Sequence, residues 1–233
     1  MNYGIIAAGE GSRLVSEGIL TPKPLISLNG ETLLNRLIRI FLANHAESVS
    51  IIVNEEMTAV QEHLSRLSLP VPLHVIIKST PSSLHSFYEL IPYLGNGKFC
   101  VTTVDTIFKE SDFTFYIRTF EKNPGQEGIM AVTSFIDDEK PLYVETGENS
   151  HITAFKDQFE EGIQYISGGI YGLTPAVFPT LKHCLENGIH RMRNFQREII
   201  ADEIPLLAYP FPKIVDVDHA GDIRKAEEFL KDY

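Results

Sequence analysis

Cysteine, basic charge and long apolar runs are all scarce in this sequence. Two cysteines, Cys100 and Cys184, in 233 residues cannot build a disulfide scaffold or a four-cysteine metal site. Cys100 sits in an apolar run and reads as a buried thiol, so a reducing, cytoplasmic setting is expected. No apolar stretch approaches the ~18 residues of a membrane span. The first eight residues lack a basic n-region and hold only a short apolar run, which does not read as a signal peptide. Lys and Arg number 20 against 31 Asp and Glu, for a net charge of −11 with histidines neutral. General nucleic-acid binding needs a net basic face, so neither nucleic acid nor membrane is an expected partner. One anionic small molecule in a local basic pocket remains compatible with that charge. The rest of the acid reads as solvated surface. Internal repeats, low-complexity segments and flexible linkers are absent as well. At ~100–200 residues per domain, residues 1–233 read as a single domain able to bury its own core.

What is present is a rhythm of apolar runs and helical patterns. Tyr3–Ala8 is a short continuous apolar run, expected of a strand buried on both faces. Glu31–Ala43 places Leu33, Leu34, Leu37, Ile38, Phe41 and Leu42 at helical spacing. Strands are predicted at 48–53, 73–77, 99–104 and 128–135, with helices at 55–67, 83–94 and 111–120. This order predicts an α/β fold, a mostly parallel central sheet with helices on both faces. After about residue 140 the rhythm changes to a small mixed β insertion. A hairpin-like turn at 146–150 separates extended runs at 141–145 and 151–155, and a further run covers 163–173. Helices are predicted at 174–186 and 189–201 and an extended run at 206–210. A last strand at 213–217 should return to the sheet before a helix at 220–232.

The segment Ala7-Ala8-Gly9-Glu10-Gly11-Ser12-Arg13-Leu14 follows the first strand, and Thr21-Pro22-Lys23-Pro24-Leu25 comes soon after. In open α/β sheets, ligands bind in the loops at the carboxyl ends of strands. Gly9 and Gly11 let backbone amides approach a phosphate. Arg13 offers a fork for phosphate oxygens and Lys23 a point charge. Pro22 and Pro24 should hold Lys23 in an extended backbone. Together these residues read as a triphosphate cradle. A dinucleotide fingerprint would need glycine where Leu14 stands, and the Gly-Lys-Ser/Thr of a P-loop is missing. The strand at 99–104 runs into Asp105. A strand-end aspartate there is either a turn or helix cap or a ligand for Mg²⁺, which prefers oxygens and shares them with phosphates.

The combination of Ala-Ala-Gly-x-Gly-x-Arg-Leu with Pro-Lys-Pro-Leu resembles the signature of nucleotidyltransferases that activate sugar phosphates and related metabolites. Their Rossmann-like fold, a three-layer sandwich, is shared with the GT-A glycosyltransferases. The resemblance implies a nucleotide-binding part over about 1–135, an acceptor-binding part over about 136–212, and a closing strand–Asp–helix over 213–233. It implies Mg²⁺ as cofactor, with Asp105 and Asp216 as its ligands. Asp218 is expected to cap the following helix; His219-Ala220-Gly221 stands where the family has Thr-Pro-Glu. Ser82 and Ser83 stand where the family reads the nucleobase, one of them expected as a helix cap. Gly168 and Gly169 match the acceptor-side strand, either as close backbone approach or as a β-bulge. Lys156 is the nearby cation that would replace the family's acceptor-phosphate lysine. Arg191 and Arg193 read as a solvated helix face.

The reaction implied is transfer of NMP from an NTP to a phosphorylated acceptor, with release of pyrophosphate. Charge neutralisation and positioning would supply most of the rate. Arg13 and the amides of the 9–12 loop would hold the pyrophosphate, and Lys23 the α-phosphate. Sugar 1-phosphates, phosphocholine and phosphonates are candidate acceptors, and CTP or a sugar-linked NTP the favoured donors. Guanylyl transfer to a molybdopterin-type cofactor is an alternative, as is a non-catalytic nucleotide sensor on the same fold. A GT-A glycosyltransferase would want Asp-x-Asp, which Asp105-Thr106-Ile107 does not supply. Oligomeric state is left open.

Overall fold

The structure is a computed structural model that describes residues 1–137 and 140–231. The expected helix end at Asp232 lies outside the described residues. The chain begins with β1 (Asn2–Ala7), a five-residue helix α1 (Ser12–Ser16), and a tight hairpin of β2 (Ser27–Leu28) and β3 (Glu31–Thr32). Helix α2 (Leu33–Ala43) therefore starts two residues later than its apolar spacing suggests. Thr32 defines its start, accepting the Asn35 amide on its hydroxyl at 3.2 Å. The parallel half continues through β4 (Ser48–Val53), α3 (Thr58–Ser65), β5 (Leu73–Ile77), α4 (Ser83–Leu90) and β6 (Phe99–Thr103).

The second half departs from this alternation. A short β7 (Thr106–Ile107) and α5 (Glu110–Lys122) lead to β8 (Gly128–Thr133). The hairpin of β9 (Tyr143–Thr146) and β10 (Ile152–Lys156) is antiparallel, as expected. Then come β11 (Tyr165–Leu173), α6 (Phe178–Glu186), α7 (Met192–Ala201), β12 (Leu206–Phe211), β13 (Val215–Asp216) and α8 (Ala220–Lys231). Among the described residues nine strands form one sheet. Strands β6, β1, β4 and β5 are parallel neighbours, and β12 pairs parallel with β8. Between these groups runs β11, antiparallel to β6, β8 and β9.

Alternation along β1 explains the three layers. Tyr3, Ile5 and Ala7 face one core with α2, α3, α5 and α8, while Ile6 and Ala8 face the other with α4, α6 and α7. Every one of these five side chains is buried, so a continuous apolar run was required.

One expectation about connectivity is corrected. The last strand does not return to the sheet. β13 pairs antiparallel with β7, Val215 opposite Ile107 and Asp216 opposite Thr106, as a separate two-stranded ribbon. The Val217 amide continues this pairing by donating to the Asp105 carbonyl at 3.1 Å. The ribbon brings the end of the chain against the loop that follows β6.

Candidate active site

The glycine loop leaves β1 at its carboxyl end. Gly11 sits at φ +63° and ψ 33° and starts α1, a left-handed conformation that costs a residue with Cβ about 1–2 kcal/mol. Leu14, buried, anchors this short helix. A Cβ on Gly11 would lie 3.5 Å from Lys23 Cβ, so the loop rests on the lysine. The backbone at Lys23 differs from the extended form expected. Pro22 is extended, but Lys23–Leu25 make one 3₁₀ turn, closed by the Leu25 amide on the Pro22 carbonyl at 2.8 Å. Pro24 removes only an amide that the turn does not need.

Three chain segments meet at the Lys23 ammonium. It donates to Asp105 Oδ2 at 2.7 Å and to Asp218 Oδ1 at 2.7 Å. The Lys23 and Asp105 side chains are only 10% and 19% exposed. Burial works to lower the lysine's pKa, but the charge and hydrogen bonds of Asp105 and Asp218 outweigh it and raise the pKa above 10.5. The two carboxylates thus favour the charged form of Lys23. Asp218 also accepts from Arg13 at 2.9 Å, so one carboxylate joins both catalytic candidates.

Asp218 therefore does not cap α8 through its side chain. Asp222 does so from within the helix, its Oδ2 accepting the amides of His219 at 2.8 Å and Asp218 at 3.2 Å. Glu17 adds a second tie, accepting the Ala220 amide at 2.6 Å and facing His219 Nδ1 at 2.5 Å. These contacts lower the Glu17 pKa and dock α1 against α8. Asp105 caps no helix either, since a ribbon strand follows it; it sits in the turn between β6 and β7.

Two cavities flank this charge cluster. The first, about 480 Å³, is bounded by residues 8–12, Lys23, Asn54, residues 80–83, Ser86 and residues 103–105. It brings together Ala8, Gly9, Glu10, Gly11, Ser12, Lys23, Ser82 and Ser83 of the residues expected at a nucleotide site. Ala7 does not line this cavity; its side chain faces the core on the other side of the sheet. Ser82 stands at the start of α4, yet its hydroxyl makes no cap bond and instead meets His85 Nδ1 at 2.9 Å. Thr80 Oγ1, 2.6 Å from Ser86 Oγ, adds a polar wall that the motifs did not single out.

The second cavity, about 370 Å³, is bounded by Arg13, Ser167, Gly168, Asp216, Asp218 and Lys225 among others. Arg13 thus faces this side rather than the glycine-loop side. Gly168 lines the wall and is tightly packed: a Cβ there would meet Ile214 Cδ1 at 2.3 Å. Gly169, at φ +72°, does not line it; its position follows from a register shift in β11 between Ser167 and Tyr171. Gly169 thus sits at the irregularity of a β-bulge, while Gly168 is packed closely against the Ile214 side chain.

Lys156 is placed elsewhere. Its ammonium is held by Glu145 at 2.9 Å and by Glu160, and it lines neither cavity. The lysine on this side is Lys225 of α8, paired with Asp137 at 2.8 Å and Asp222 at 3.2 Å. Sequence reasoning missed it because a helical lysine near the chain end carries no motif. Arg191 precedes α7 at φ +76°, outside the helix. Arg193 and Arg197 of α7 pair with Asp157 at 2.7 and 2.8 Å, which lowers that carboxyl's pKa.

The mostly parallel α/β sheet, crossed by the antiparallel β11 and carrying its charged cluster between two cavities, is the architecture of a nucleotidyltransferase. Residues 4–198 match the MobA-like NTP transferase domain, and the chain belongs to that family. A 2-aminoethylphosphonate cytidylyltransferase of Lancefieldella rimae is 26% identical over 113 residues. That match spans 47% of this chain and 44% of the relative, less than half the length of either. Two solved structures share the fold. The inositol-1-phosphate CTP transferase of T. maritima superposes with a TM-score of 0.82 at 18% identity, covering 99% of this chain and 96% of its own. A candidate glucose-1-phosphate thymidylyltransferase of Bacillus anthracis gives 0.85 at 20% identity, covering 100% and 96%. No helix among the described residues is long and apolar enough to cross a membrane.

Proposed function

We propose that this protein transfers a nucleoside monophosphate from an NTP to a phosphate- or phosphonate-bearing small molecule, releasing pyrophosphate. The observation that carries the reading is the single Lys23 ammonium shared by Asp105 and Asp218 between two cavities. The glycine-loop cavity takes the NTP and the Gly168 cavity the acceptor, so the two phosphates meet at Lys23. CTP is the favoured donor; the cytidylyl and CTP transferases among the relatives support a pyrimidine base.

The residues fit Mg²⁺. Asp105 and Asp218 converge within hydrogen-bond reach of one ammonium, and both offer carboxylate oxygens, which a hard divalent ion prefers. Among the described residues no cluster of three or more His, Cys, Asp or Glu could hold a metal, so phosphate oxygens would complete the shell. Asp105 with Asp218 would hold the ion, with Asp216 beside them on the acceptor side. When bound, Mg²⁺ supplies charge neutralisation between the two phosphates.

The chain's own groups do the rest. Backbone amides of residues 9–12 cradle the phosphates of the NTP. Lys23, kept charged by its neighbours, stabilises negative charge building on the α-phosphate. Arg13 and Lys225 hold the acceptor phosphate, so that its oxygen lies in line with the α-phosphorus. A phosphate oxygen is already ionised near neutral pH, and no general base is assigned.

Pyrophosphate release measured over a panel of four NTPs and phosphorylated acceptors tests the reading. Release with CTP and one acceptor class is expected. Release with GTP and a pterin acceptor would favour guanylyl transfer instead. Tight NTP binding without release for any pair would favour the nucleotide sensor.

A further inference from the structure

Beside the Gly168 cavity lies a further recess of about 400 Å³ that the reaction above does not use. The two share Phe135, Asp137, Val215 and Lys225 as a common wall. The recess adds Lys109, Lys213 and Phe229, which come from the segments before α5 and β13 and from α8. Among the described residues it gathers three lysines against two carboxylates, Asp137 and Glu228, in a chain whose net charge is −11. Lys225 is answered by its ion pairs with Asp137 and Asp222. Lys213 is held differently. Its ammonium lies 4.4 Å from the Phe135 ring centroid and 5.0 Å from that of Phe229. Lys109 lies 5.4 Å from the same Phe229 ring.

An aromatic face attracts an ammonium through its quadrupole but supplies no formal negative charge. The charge on Lys213 is thus positioned by the rings without being neutralised by them. A lysine stem covering apolar surface is ordinary in itself. Here the covered rings wall a recess that adjoins the acceptor cavity, and a second lysine approaches one of the same rings. An ammonium fixed in advance loses little freedom on meeting an anion, which favours binding.

We propose that this recess is an anion subsite for the far end of the acceptor. The acceptor then carries a second anionic group, carboxylate or phosphate, besides the phosphate that attacks. The proposal rests on the nucleotidyl-transfer reading for the identity of the neighbouring cavity. Lys213 supplies the charge, Phe135 and Phe229 fix its position, and Lys109 adds to the local potential.

Calorimetric titration of matched probes tests the subsite without requiring turnover. Glucose 1-phosphate is compared with glucuronic acid 1-phosphate and glucose 1,6-bisphosphate, and glycerol 3-phosphate with 3-phosphoglycerate. The wild type is expected to bind the doubly anionic member of at least one pair about tenfold more tightly. In Lys213→Met, which keeps the stem on the rings and removes the charge, that ratio should fall to about two or less. Tightening by the carboxylate or by the bisphosphate identifies the distal group. A wild type that binds each pair alike, or binds none of the probes, overturns the subsite. So does a preference that survives in Lys213→Met. Pyrophosphate release is followed with the same compounds. A Lys213-dependent preference without release for any NTP would overturn the transfer reading and leave the subsite standing. Release without the preference would do the reverse.

Discussion

Lys23 Nζ lies 2.7 Å from Asp105 Oδ2 across 82 residues of sequence, and both side chains are largely shielded from solvent. The pair joins the loop after β1 to the loop after β6. On the proposed mechanism, removing the ammonium takes away the charge that stabilises the α-phosphate. Lys23→Ala should lower turnover by about 10²–10³-fold, the magnitude typical of one preorganised electrostatic donor. Circular dichroism should show an unchanged fold. Lys23→Arg should not restore the rate, because a guanidinium fork does not fit a point-charge position between two carboxylates. Turnover near wild type in Lys23→Ala would exclude the role.

The three aspartates should separate by readout. Asp105→Asn and Asp218→Asn should each raise the Mg²⁺ concentration needed for half-maximal rate, by about tenfold or more. Asp216 lines the Gly168 cavity, so on the proposed assignment Asp216→Asn should act mainly on the acceptor KM. A metal titration unchanged in Asp105→Asn, or shifted only in Asp216→Asn, would reassign the ligands.

The raised pKa of Lys23 gives a stability profile with a definite sign. A cation whose pKa rises on folding stabilises the native state below its unfolded value, about 10.4 for lysine. That contribution is lost as pH climbs through the folded value. Urea midpoints of the wild type and Lys23→Met should therefore differ by the same amount at about pH 7 and about pH 9, and converge only above about pH 10.4. Convergence already between pH ~7 and ~9 would contradict the pairing.

Two lysines offer a contrast on the acceptor side. Lys225→Met should raise the acceptor KM by about tenfold with little change in the NTP KM. Lys156→Met should leave both within about twofold, since its ammonium is occupied by Glu145 and Glu160 outside either cavity. An acceptor KM raised in Lys156→Met alone would restore the role first expected for it.

Local chemistry made much of this molecule legible from its residues. The apolar run from Tyr3, the helical spacing from Leu33 to Leu42 and the turn at 146–150 each carry their own period or breaker. The glycine loop, Lys23 and Asp105 were legible because a strand end and the loop after it are neighbours in sequence. The helix starts were less so. α3 begins at Thr58, α4 gives way to a 3₁₀ turn at Ile91, and the segment at Lys23 turns, since end geometry depends on a few hydrogen bonds and not on periodicity.

The sequence alone thus established the α/β order, the glycine loop after β1 and a lysine set between prolines beside it. Tertiary structure decided the partners. Asp216 and Asp218 are two residues apart and share one expected face, yet the strand ends at Asp216, and only Asp218 reaches Lys23 and Arg13. Lys225 and not Lys156 lines the Gly168 cavity, because α8 folds back beside it. Such choices rest on contacts between segments 195 or more residues apart. A charge finds its partner only after the ribbon of β7 and β13 has brought those segments together. Coulomb attraction acts over ångströms in space, and the order of residues does not report that distance.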